Sequence, residues 1–350
     1  MQQYDPPFTM NNKITNLVAD VTELVVTLLF IHKDFLDLHL RKVSQIRTIH
    51  SSLAIEHNSL SLEQVTAIID GKRILGHPIE ILEVKNAHTA YKQLLSFDPL
   101  SVEDLLKAHK LMMKDLVTGY GHFRTSGVGV FAGSELIHMA PPAQRVQDLI
   151  KRLFDWYKHS ELHPLIKSAI FHYEFEYIHP FADGNGRIGR LWHSLLLGKW
   201  KDIFYWTPVE ELIQKKQAEY YKALSDATAK TDCSCFVEYI LEIIKETLVS
   251  ISCKNSSTDQ VTDQVTDQVT DQVTDQVEFD LLPPVEKLLY VLGNDTLSSN
   301  QIMERLKLTH KPTFRHNYLN PALEQHLIEM TIPDKPKSRL QKYRKVSVNL

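Results

Sequence analysis

Helical periodicity is the feature that most constrains the fold of this 350-residue chain. Apolar residues recur at steps of three and four, the spacing of one helix face, in the segments "SVEDLLKAHKLMMKDL", "AQRVQDLIKRLFDWYKHS" and "HPLIKSAIFHYEFEYIHPF". The first segment starts at Ser101, a typical N-cap residue, with Asp104 three positions later. Most of residues 14–250 has this helical character. The sequence therefore predicts a mainly α fold.

A glycine-rich stretch interrupts the helices. Residues 118–142, "TGYGHFRTSGVGVFAGSELIHMAPP", alternate apolar with small residues and end in two prolines. This pattern indicates a hairpin or a loop. Because long loops in compact domains often carry function, the stretch is a candidate functional element.

The bulk composition indicates a soluble, cytoplasmic protein without membrane contact. The first residues lack the basic region and apolar core of a signal peptide. The apolar run "LVVTLLFI" (Leu24–Ile31) is shorter than the roughly 20 residues that span a membrane, so we predict a buried helix segment. The cysteines, Cys233, Cys235 and Cys253, are odd in number and clustered, which favours reduced thiols. The net charge of -4 gives the whole chain no attraction for nucleic acid.

A repeat divides the chain. Residues 258–277 are five copies of "TDQV", a polar segment without aromatic residues that cannot bury a core. We interpret it as a flexible or weakly helical linker. The period of four also allows the valines to form one helix stripe, so self-association into a homo-oligomer is the alternative.

Residues 279–350 form a separate predicted unit. They contain a helix at Val285–Leu292, a helix that Ser298 or Ser299 would start, the segment "KPTFRHNYLNPALEQHLI" and an alternating tail with prolines. The order of helix, helix-turn-helix and strand pair is typical of a winged helix-turn-helix domain.

The same unit is basic. It has eleven Lys or Arg and seven Asp or Glu, a charge of +4, so the remainder of the chain carries -8. This charge permits DNA binding, with phosphate contacts from Lys311, Arg315 and the run Lys337–Lys345. Use of the domain for protein contacts or dimerisation is an equal alternative.

The stretch "IHPFADGNGRIGRL" (178–191) concentrates glycine and charge between helical segments. A calcium loop starting at Asp183 needs glycine at its sixth position and a carboxylate at its twelfth, but these positions are Ile188 and Ser194. The embedded "GNGRIG" matches the dinucleotide-binding pattern, but no strand precedes it. Neither type of site accounts for the stretch.

The remaining interpretation of the stretch is an anion site at the start of a helix. Glycines on both sides of Asn185 let successive backbone N–H groups converge, and the helix that begins there adds its dipole. Arg187 and Arg190 are three residues apart, so they share one side of the positive helix end. A polyphosphate would balance this charge. Asp183 would then hold a divalent cation, and His179 could accept a proton near neutral pH. Together these residues indicate phosphoryl or nucleotidyl transfer.

The motif "HPFADGNGR", followed by Arg190, matches the Fic motif HPFx[D/E]GNGRxxR at every specified position. The segments "FRTSGVGV", "APP" and "LHPLIKSAIFHYEFEYIHPF" agree with this assignment. The chain thus resembles Fic protein adenylyltransferases over roughly Lys13–Lys254. Members of this family transfer AMP from ATP to a hydroxyl side chain of a target protein and release pyrophosphate. The resemblance implies a helical-bundle core with a small β-hairpin flap.

The resemblance also implies roles for individual residues. His179 is the general base that takes the proton of the target Ser, Thr or Tyr hydroxyl, and Asp183 holds Mg²⁺ between the α- and β-phosphates. Arg190 reaches the γ end of ATP. The further residues that the resemblance implies in ATP binding are Gly184, Asn185, Gly186, Arg187, Ile188 and Gly189 at the helix start, Val128, Gly129, Val130 and Phe131 in the flap, and Tyr220.

The flap, Val128–His138, is implied to pair with the backbone of the target by β-augmentation. A target protein is therefore the expected partner. For Tyr220, core packing of an amphipathic helix is an alternative of equal weight.

The segment "SSLAIEHNSLSLEQV" resembles the inhibitory helix motif of the family, [S/T]xxxE[G/N]. Ser52 and Glu56 fit this motif, whereas His57 stands where glycine or asparagine is usual, and Asn58 follows. The resemblance implies that the Glu56 carboxylate clamps Arg190 bidentately and keeps it from the γ-phosphate. A position before the core is that of the N-terminally self-inhibited class.

The predicted domains are an N-terminal helical region at 1–100 with an inhibitory helix at about 48–66, a Fic core at 101–254, a linker at 255–278 and a winged helix at 279–350. The favoured function is a self-inhibited protein adenylyltransferase. One alternative is a hydrolase that removes AMP at the same site, with Glu56 positioning the attacking water. Another is a DNA-binding regulator whose Fic domain senses nucleotides. A nucleotide donor other than ATP also stays open.

Overall fold

The computed structural model describes residues 4–31, 38–132, 135–256, 284–292, 296–306, 308, 311–324, 327–332 and 341–346. The chain divides into two compact units, residues 1–261 and 262–350. The predicted "TDQV" linker lies outside the described residues.

The first unit is built from helices and one hairpin. Its helices are α1 (Asn12–Ile31), α2 (Leu38–Ile55), α3 (Leu62–Ile69), α4 (Pro78–Lys92), α5 (Val102–Met112), α6 (Ala143–His159), α7 (Pro164–Ile178), α8 (Asn185–Trp200), α9 (Val209–Lys215), α10 (Gln217–Lys230) and α11 (Ser234–Ser256). Short 3₁₀ turns lie at Leu94–Ser96 and Asp202–Trp206. Strands β1 (Gly129–Ala132) and β2 (Glu135–Met139) lie between α5 and α6. The predicted mainly α fold is confirmed.

Helix α7 lies at the centre of this unit. It packs against α6, α8 and α11, and nearly all its side chains are buried. A helix that is apolar all round is a core helix, yet α7 also buries the polar side chains of His172, Glu174 and Glu176. Buried polar groups are costly without partners. His172 and Glu174 contact the hydroxyls of Tyr220 and Tyr4, whereas Oε1 of Glu176 has no hydrogen-bond partner in the described part of the chain.

Local signals set the starts of α5 and α7. The predicted cap at Ser101 is confirmed, because its Oγ accepts a hydrogen bond from the Asp104 N–H at 3.1 Å. At α7, the ring of His163 accepts from the Leu165 N–H at 3.3 Å. Pro164 occupies the first turn, where a missing N–H costs no helical hydrogen bond.

The predicted burial of Leu24–Ile31 is wrong for part of the run. The run is helical, but Val26 is 57% and Phe30 is 86% exposed, whereas Val25 and Leu28 are buried. Each residue of a helix turns about 100° from the last, so consecutive apolar residues cannot all face the core. No helix in the described part of the chain is long and apolar enough to cross a membrane.

The predicted inhibitory helix at about 48–66 is two helices in the structure. Helix α2 ends at Ile55, and the N–H groups of His57 and Asn58 donate to carbonyls of its last turn at 3.0 and 3.1 Å. This pattern is a Schellman closure, which needs a left-handed residue after the helix. His57 has a φ of +70°, which explains why glycine or asparagine is usual at this position of the family motif. Glu56 therefore lies in the turn that follows α2.

The predicted hairpin is present. Strands β1 and β2 pair antiparallel with Gly129 opposite Met139, and the register shifts within β1, as in a β-bulge. Residues 133 and 134 and the side chains of residues 130–138 lie outside the described part of the structure.

The second unit follows the predicted order with one added strand. Its elements are α12 (Pro284–Leu292), β3 (Leu297–Ser298), α13 (Ser299–Arg305), α14 (Lys311–Phe314), a π-helical segment (Arg315–Leu319), α15 (Asn320–Glu324), β4 (Ile328–Met330) and β5 (Lys342–Lys345). Strand β5 lies between β3 and β4 and is antiparallel to both. The unit has its own core, which includes Leu288, Ile302, Phe314 and Tyr343. Of the basic run at 337–345, residues 341–345 are described.

Candidate active site

The turn between α7 and α8 carries the motif. His179 ends α7 in the left-handed conformation, with φ of 50°, and its N–H donates to the Phe175 carbonyl at 2.9 Å. Gly184 is also left-handed, with φ of 82°, and α8 begins at the next residue. A left-handed histidine is strained. The chain must therefore be held at His179 by contacts from elsewhere.

Arg124 supplies these contacts. Its Nε donates to the His179 carbonyl at 2.7 Å, and its Nη1 donates to Ser126 at 2.9 Å. Its Nη2 donates to the carbonyls of Pro141 and Ile178. This buried side chain thus ties both ends of the hairpin segment to the motif turn. Arg124 was not among the predicted site residues, although it lies within the segment "FRTSGVGV".

Asn185 closes the turn with its side chain. Its Oδ1 accepts from the Phe181 N–H at 2.8 Å, and its Nδ2 donates to the Phe181 carbonyl at 2.9 Å. The side chain is therefore committed to the turn, and its backbone N–H is the part of Asn185 that an anion could use. The first N–H groups of α8 have no acceptor within the helix, as the predicted anion site requires.

The ring of His179 has a defined orientation. Its Nδ1 lies 3.2 Å from the Glu176 carbonyl, so the hydrogen on Nδ1 donates there and Nε2 is left as the basic nitrogen. The Glu176 carboxylate lies further away, with Oε2 at 4.0 Å from Nδ1. About a fifth of the His179 side chain is exposed. The base predicted from the sequence therefore has a solvent-accessible ring.

Glu176 is a buried carboxyl group that was not among the predicted site residues. Burial raises its pKa to about 8, with Glu56 adding to the rise and Arg190 opposing it. Its Oε1 has no hydrogen-bond partner in the described part of the chain. A Cβ on Gly189 would lie 2.3 Å from this oxygen, so Glu176 accounts for the glycine at that position.

Arg190 contacts the turn after α2. Its Nη2 donates to Glu56 Oε1 at 2.7 Å and to the Ser52 carbonyl at 2.9 Å, and its Nε donates to the Ser52 hydroxyl at 3.1 Å. The expected bidentate pairing is wrong, because the contact between these two side chains is one hydrogen bond to Oε1 of Glu56, while Nε and Nη2 of Arg190 also donate to Ser52. Burial favours a higher pKa for Glu56, but Arg190, Arg187 and His57 outweigh it and hold this pKa below its usual value.

Arg187 is held by different carboxylates. Its Nη1 donates to Glu83 Oε1 at 2.9 Å, and its Nη2 donates to Asp183 Oδ1 at 3.3 Å. Glu83 lies on α4 and was not predicted. The two motif arginines thus start from the same helix turn but meet carboxylates from two different elements of the N-terminal region.

Asp183 is the protein ligand expected for Mg²⁺. Its side chain is 56% exposed, and the Gly184 N–H and Arg187 donate to Oδ1. No group of three or more His, Cys, Asp or Glu in the described residues could hold a metal by itself. One exposed carboxylate fits an ion whose remaining ligands are water and phosphate oxygens.

A cavity of about 180 Å³ opens beside these groups. Its lining residues are Glu56, Glu176, His179, Ala182, Asp183, Gly184, Asn185, Gly186, Arg190, Tyr220, Tyr221 and Leu224. Tyr220 lines this cavity and is also 2% exposed, with its hydroxyl 3.2 Å from His172 Nε2. Both interpretations of Tyr220, pocket residue and core residue, thus agree with its position.

Comparisons with known proteins agree with the motif. The model of the Fic/DOC family matches residues 99–197, and the model of the "Filamentation induced by cAMP protein Fic-like, C-terminal domain" matches residues 283–345. Curated relatives called protein adenylyltransferase Fic, from Drosophila willistoni and Culex quinquefasciatus, are 30% and 31% identical over 223 and 220 residues. These matches cover 59% of this chain and 42% and 41% of the relatives, so the chain spans about two fifths of their length.

A solved structure matches along the whole chain. It is a Fic family protein from Desulfovibrio desulfuricans G20, with 45% sequence identity and a TM-score of 0.71. The match covers 99% of this chain and 100% of that chain. Given this identity over the full length and a complete motif on the turn between α7 and α8, the chain belongs to the Fic family.

Proposed function

We propose that this protein is an adenylyltransferase that moves AMP from ATP to a Ser, Thr or Tyr hydroxyl of a target protein, and also to itself. The observation that carries the proposal is the position of His179, which lines the same cavity as Arg190 and the residues at the N-terminus of α8. The curated relatives called protein adenylyltransferase Fic support it.

In the proposed reaction, the target hydroxyl oxygen attacks the α-phosphorus while Nε2 of His179 takes its proton. The bond between the α-phosphorus and the bridging oxygen to the β-phosphate breaks, and pyrophosphate leaves. The product is a phosphodiester between AMP and the target side chain. The free N–H groups of α8 would stabilise the charge that develops on the α-phosphate.

The two arginines would bind the leaving phosphates, with Arg190 at the γ end. Asp183 would hold Mg²⁺, which supplies charge neutralisation when it is bound with ATP. The hairpin at Val128–His138 would align the target by pairing with its backbone. Arg124 supports this assignment, because it joins the hairpin segment to His179.

We infer that the protein is self-inhibited. The Glu56 carboxylate accepts a hydrogen bond from Nη2 of Arg190, a donor that a γ-phosphate would need. The same carboxylate lies against Gly186 at the start of α8. An ATP molecule would meet this carboxylate in the anion site and would be repelled from the productive position. Release of the turn at 56–58 would clear the site.

A second candidate activity is removal of AMP from a modified protein. Glu56 lines the same cavity as His179, so its carboxylate could position a water molecule for attack on the phosphodiester. Glu56→Gly would raise AMP transfer but abolish AMP removal, and this opposite response separates the two activities.

A third candidate function is duplex DNA binding by the second unit. Lys311 and Arg315 are exposed and four residues apart there, so their side chains could contact backbone phosphates together. Binding of a duplex with an affinity that falls steeply with salt would support it. If a Lys311→Ala/Arg315→Ala variant binds the duplex with the same affinity, these two residues do not make the phosphate contacts.

The proposed transfer is tested with α-labelled ATP and Mg²⁺, alone and with cell extract. The proteins compared are the wild type, Glu56→Gly, the isosteric Glu56→Gln and Glu56→Gly/His179→Ala. We expect label on protein with both Glu56 variants, little with the wild type and none with the double variant. AMP transfer that survives His179→Ala would show that His179 is not the base. Binding of ATP by all four proteins without any transfer would rule out the proposed activity.

A further inference from the structure

Glu83 on α4 divides its carboxylate between two partners. Its Oε1 accepts from Arg187 Nη1 at 2.9 Å, and its Oε2 accepts from Asn58 Nδ2 at 2.8 Å. The Glu83 side chain is 17% and that of Arg187 is 6% exposed. Glu83 belongs neither to the Fic motif nor to the inhibitory motif. It nevertheless joins a residue of one to the neighbourhood of the other.

Asn58 anchors the turn that carries Glu56. Besides its bond to Glu83, its Nδ2 donates to the Glu80 carbonyl at 3.2 Å, and its Oδ1 accepts from the Leu60 N–H at 3.2 Å. Asn58 is only 8% exposed. It lies two residues after Glu56 in a turn closed on the end of α2. A displacement of Asn58 must therefore move Glu56.

Arg187 depends on Glu83 in turn. Its Nε is buried and has no hydrogen-bond partner in the described part of the chain. In the described part of the chain, its guanidinium donates to the carboxylates of Glu83 and the exposed Asp183. Loss of one partner from a buried charge pair costs more than the pair contributes, because it leaves the other charge uncompensated. Glu83 is thus held in place from both sides.

We propose that Glu83 is a positioning residue that latches the Glu56 turn onto the Fic motif. The latch runs from Arg187 through Glu83 and Asn58 to the turn, and Glu56 then contacts Arg190. A phosphate that draws Arg187 away from Glu83 would weaken the hold on Asn58. Both arginines would therefore be released together. The link to catalysis rests on the proposed function, whereas the latch itself is a property of the fold.

The test exchanges donor and acceptor across the contact. Asn58→Asp places a carboxylate against Glu83 and should repel it. Glu83→Gln in the same protein should restore the contact, because the introduced amide donates to the aspartate while its oxygen still accepts from Arg187. The rescue will be partial, since the bond from residue 58 to the Glu80 carbonyl stays lost. Asn12→Asp, at an exposed asparagine at the start of α1, is the matched control.

The direct readout is amide hydrogen exchange of residues 56–60 in the full chain. We expect exchange about tenfold faster or more in Asn58→Asp, from loss of a charge-assisted hydrogen bond. Exchange in the double variant should return toward the wild type, and the control should not change. Unaltered exchange in Asn58→Asp, or no rescue by Glu83→Gln, would overturn the latch.

The activity readout is self-labelling with α-labelled ATP. Asn58→Asp should raise labelling toward the Glu56→Gly level, and the double variant should lower it again. If Glu56→Gly labels but Asn58→Asp does not, the latch does not govern activity and that part of the proposal fails. If Glu56→Gly itself does not label, the proposed function fails, and the exchange experiment still decides whether the latch exists.

Discussion

A side chain at position 186 cannot coexist with the observed position of Glu56, because a Cβ on Gly186 would lie 2.4 Å from Glu56 Oε1. The same Cβ would lie 3.0 Å from Arg190 Nη1. Gly186 thus provides the space in which the carboxylate reaches the guanidinium. In the proposed reaction this space belongs to phosphate. Carboxylate and nucleotide would therefore compete for one position, which is the physical basis of the self-inhibition that we propose.

Gly186→Ala should destabilise the wild type through this clash. Overpacking of this kind typically costs about 1–3 kcal/mol. In a Glu56→Gly background the clash with the carboxylate is gone and only the 3.0 Å contact with Arg190 Nη1 remains, so the loss of stability should be smaller. Urea unfolding of the four proteins measures the loss of stability in each background. An equal loss of stability in both backgrounds would show that Glu56 is not the group displaced.

Asn185→Ala should loosen the motif turn. It removes two hydrogen bonds and leaves the N–H and carbonyl of the buried Phe181 without partners, at a cost of about 2–4 kcal/mol. Transfer activity measured in the Glu56→Gly background should fall as well. Asn12→Ala, at an exposed asparagine, is the control for asparagine removal. A stable variant with full activity would show that the turn holds its shape without this side chain.

Arg124→Lys should reduce catalysis more than it reduces stability. A lysine ammonium cannot span the four carbonyls that the guanidinium reaches, so His179 and the hairpin lose their common anchor. We expect kcat in the Glu56→Gly background to fall by about tenfold to a hundredfold, because misplacement of a proposed base by even about 1 Å can have an effect of this size. Arg152→Lys, at an exposed arginine paired with Asp148, is the matched control. Equal kcat values in the two lysine variants would show that Arg124 does not hold His179 and the hairpin in their active positions.

Glu176→Gln should change how stability depends on pH. The pKa of Glu176 is raised by burial to about 8, so between its unfolded value of about 4.5 and 8 the folded state holds more protons than the unfolded state. The free energy of unfolding of the wild type should therefore decrease as pH rises through this window, by up to about 1.4 kcal/mol per unit. Glutamine carries no such proton.

The measurement is urea unfolding of wild type and Glu176→Gln at several pH values between about 5 and 9. The advantage of the variant should grow with pH and level off above about 8, as the linkage of protons to unfolding requires. Parallel stability curves for the two proteins would mean that Glu176 is ionised in the folded state.

Several features followed from the sequence because their causes are local. The helix start at Ser101 depends on a residue three positions away, and the hairpin on glycine and proline within one segment. The motif at 179–190 lies on one turn and the helix that follows it, so it could be predicted from the sequence that its histidine, carboxylate and arginines lie close together. The order of elements in the second unit followed from periodicity in the same way.

The errors arose where burial or a helix end depends on packing and backbone conformation. The run Leu24–Ile31 is apolar throughout, yet part of it is exposed because one face of α1 meets the core. The helix expected at 48–66 ends at Ile55, because His57 adopts a left-handed conformation. A histidine at that position does not predict this conformation, whereas a glycine would.

The sequence by itself determined which chemical groups this chain carries within one short motif: a histidine, a carboxylate, a glycine-flanked helix start and two arginines. Only the tertiary structure decided what each of them contacts. Arg187 meets Glu83 across 104 positions of sequence, and Arg190 meets Glu56 across 134. Such pairs leave no periodic or local signal, because they depend on how whole helices pack and not on the spacing within any one of them.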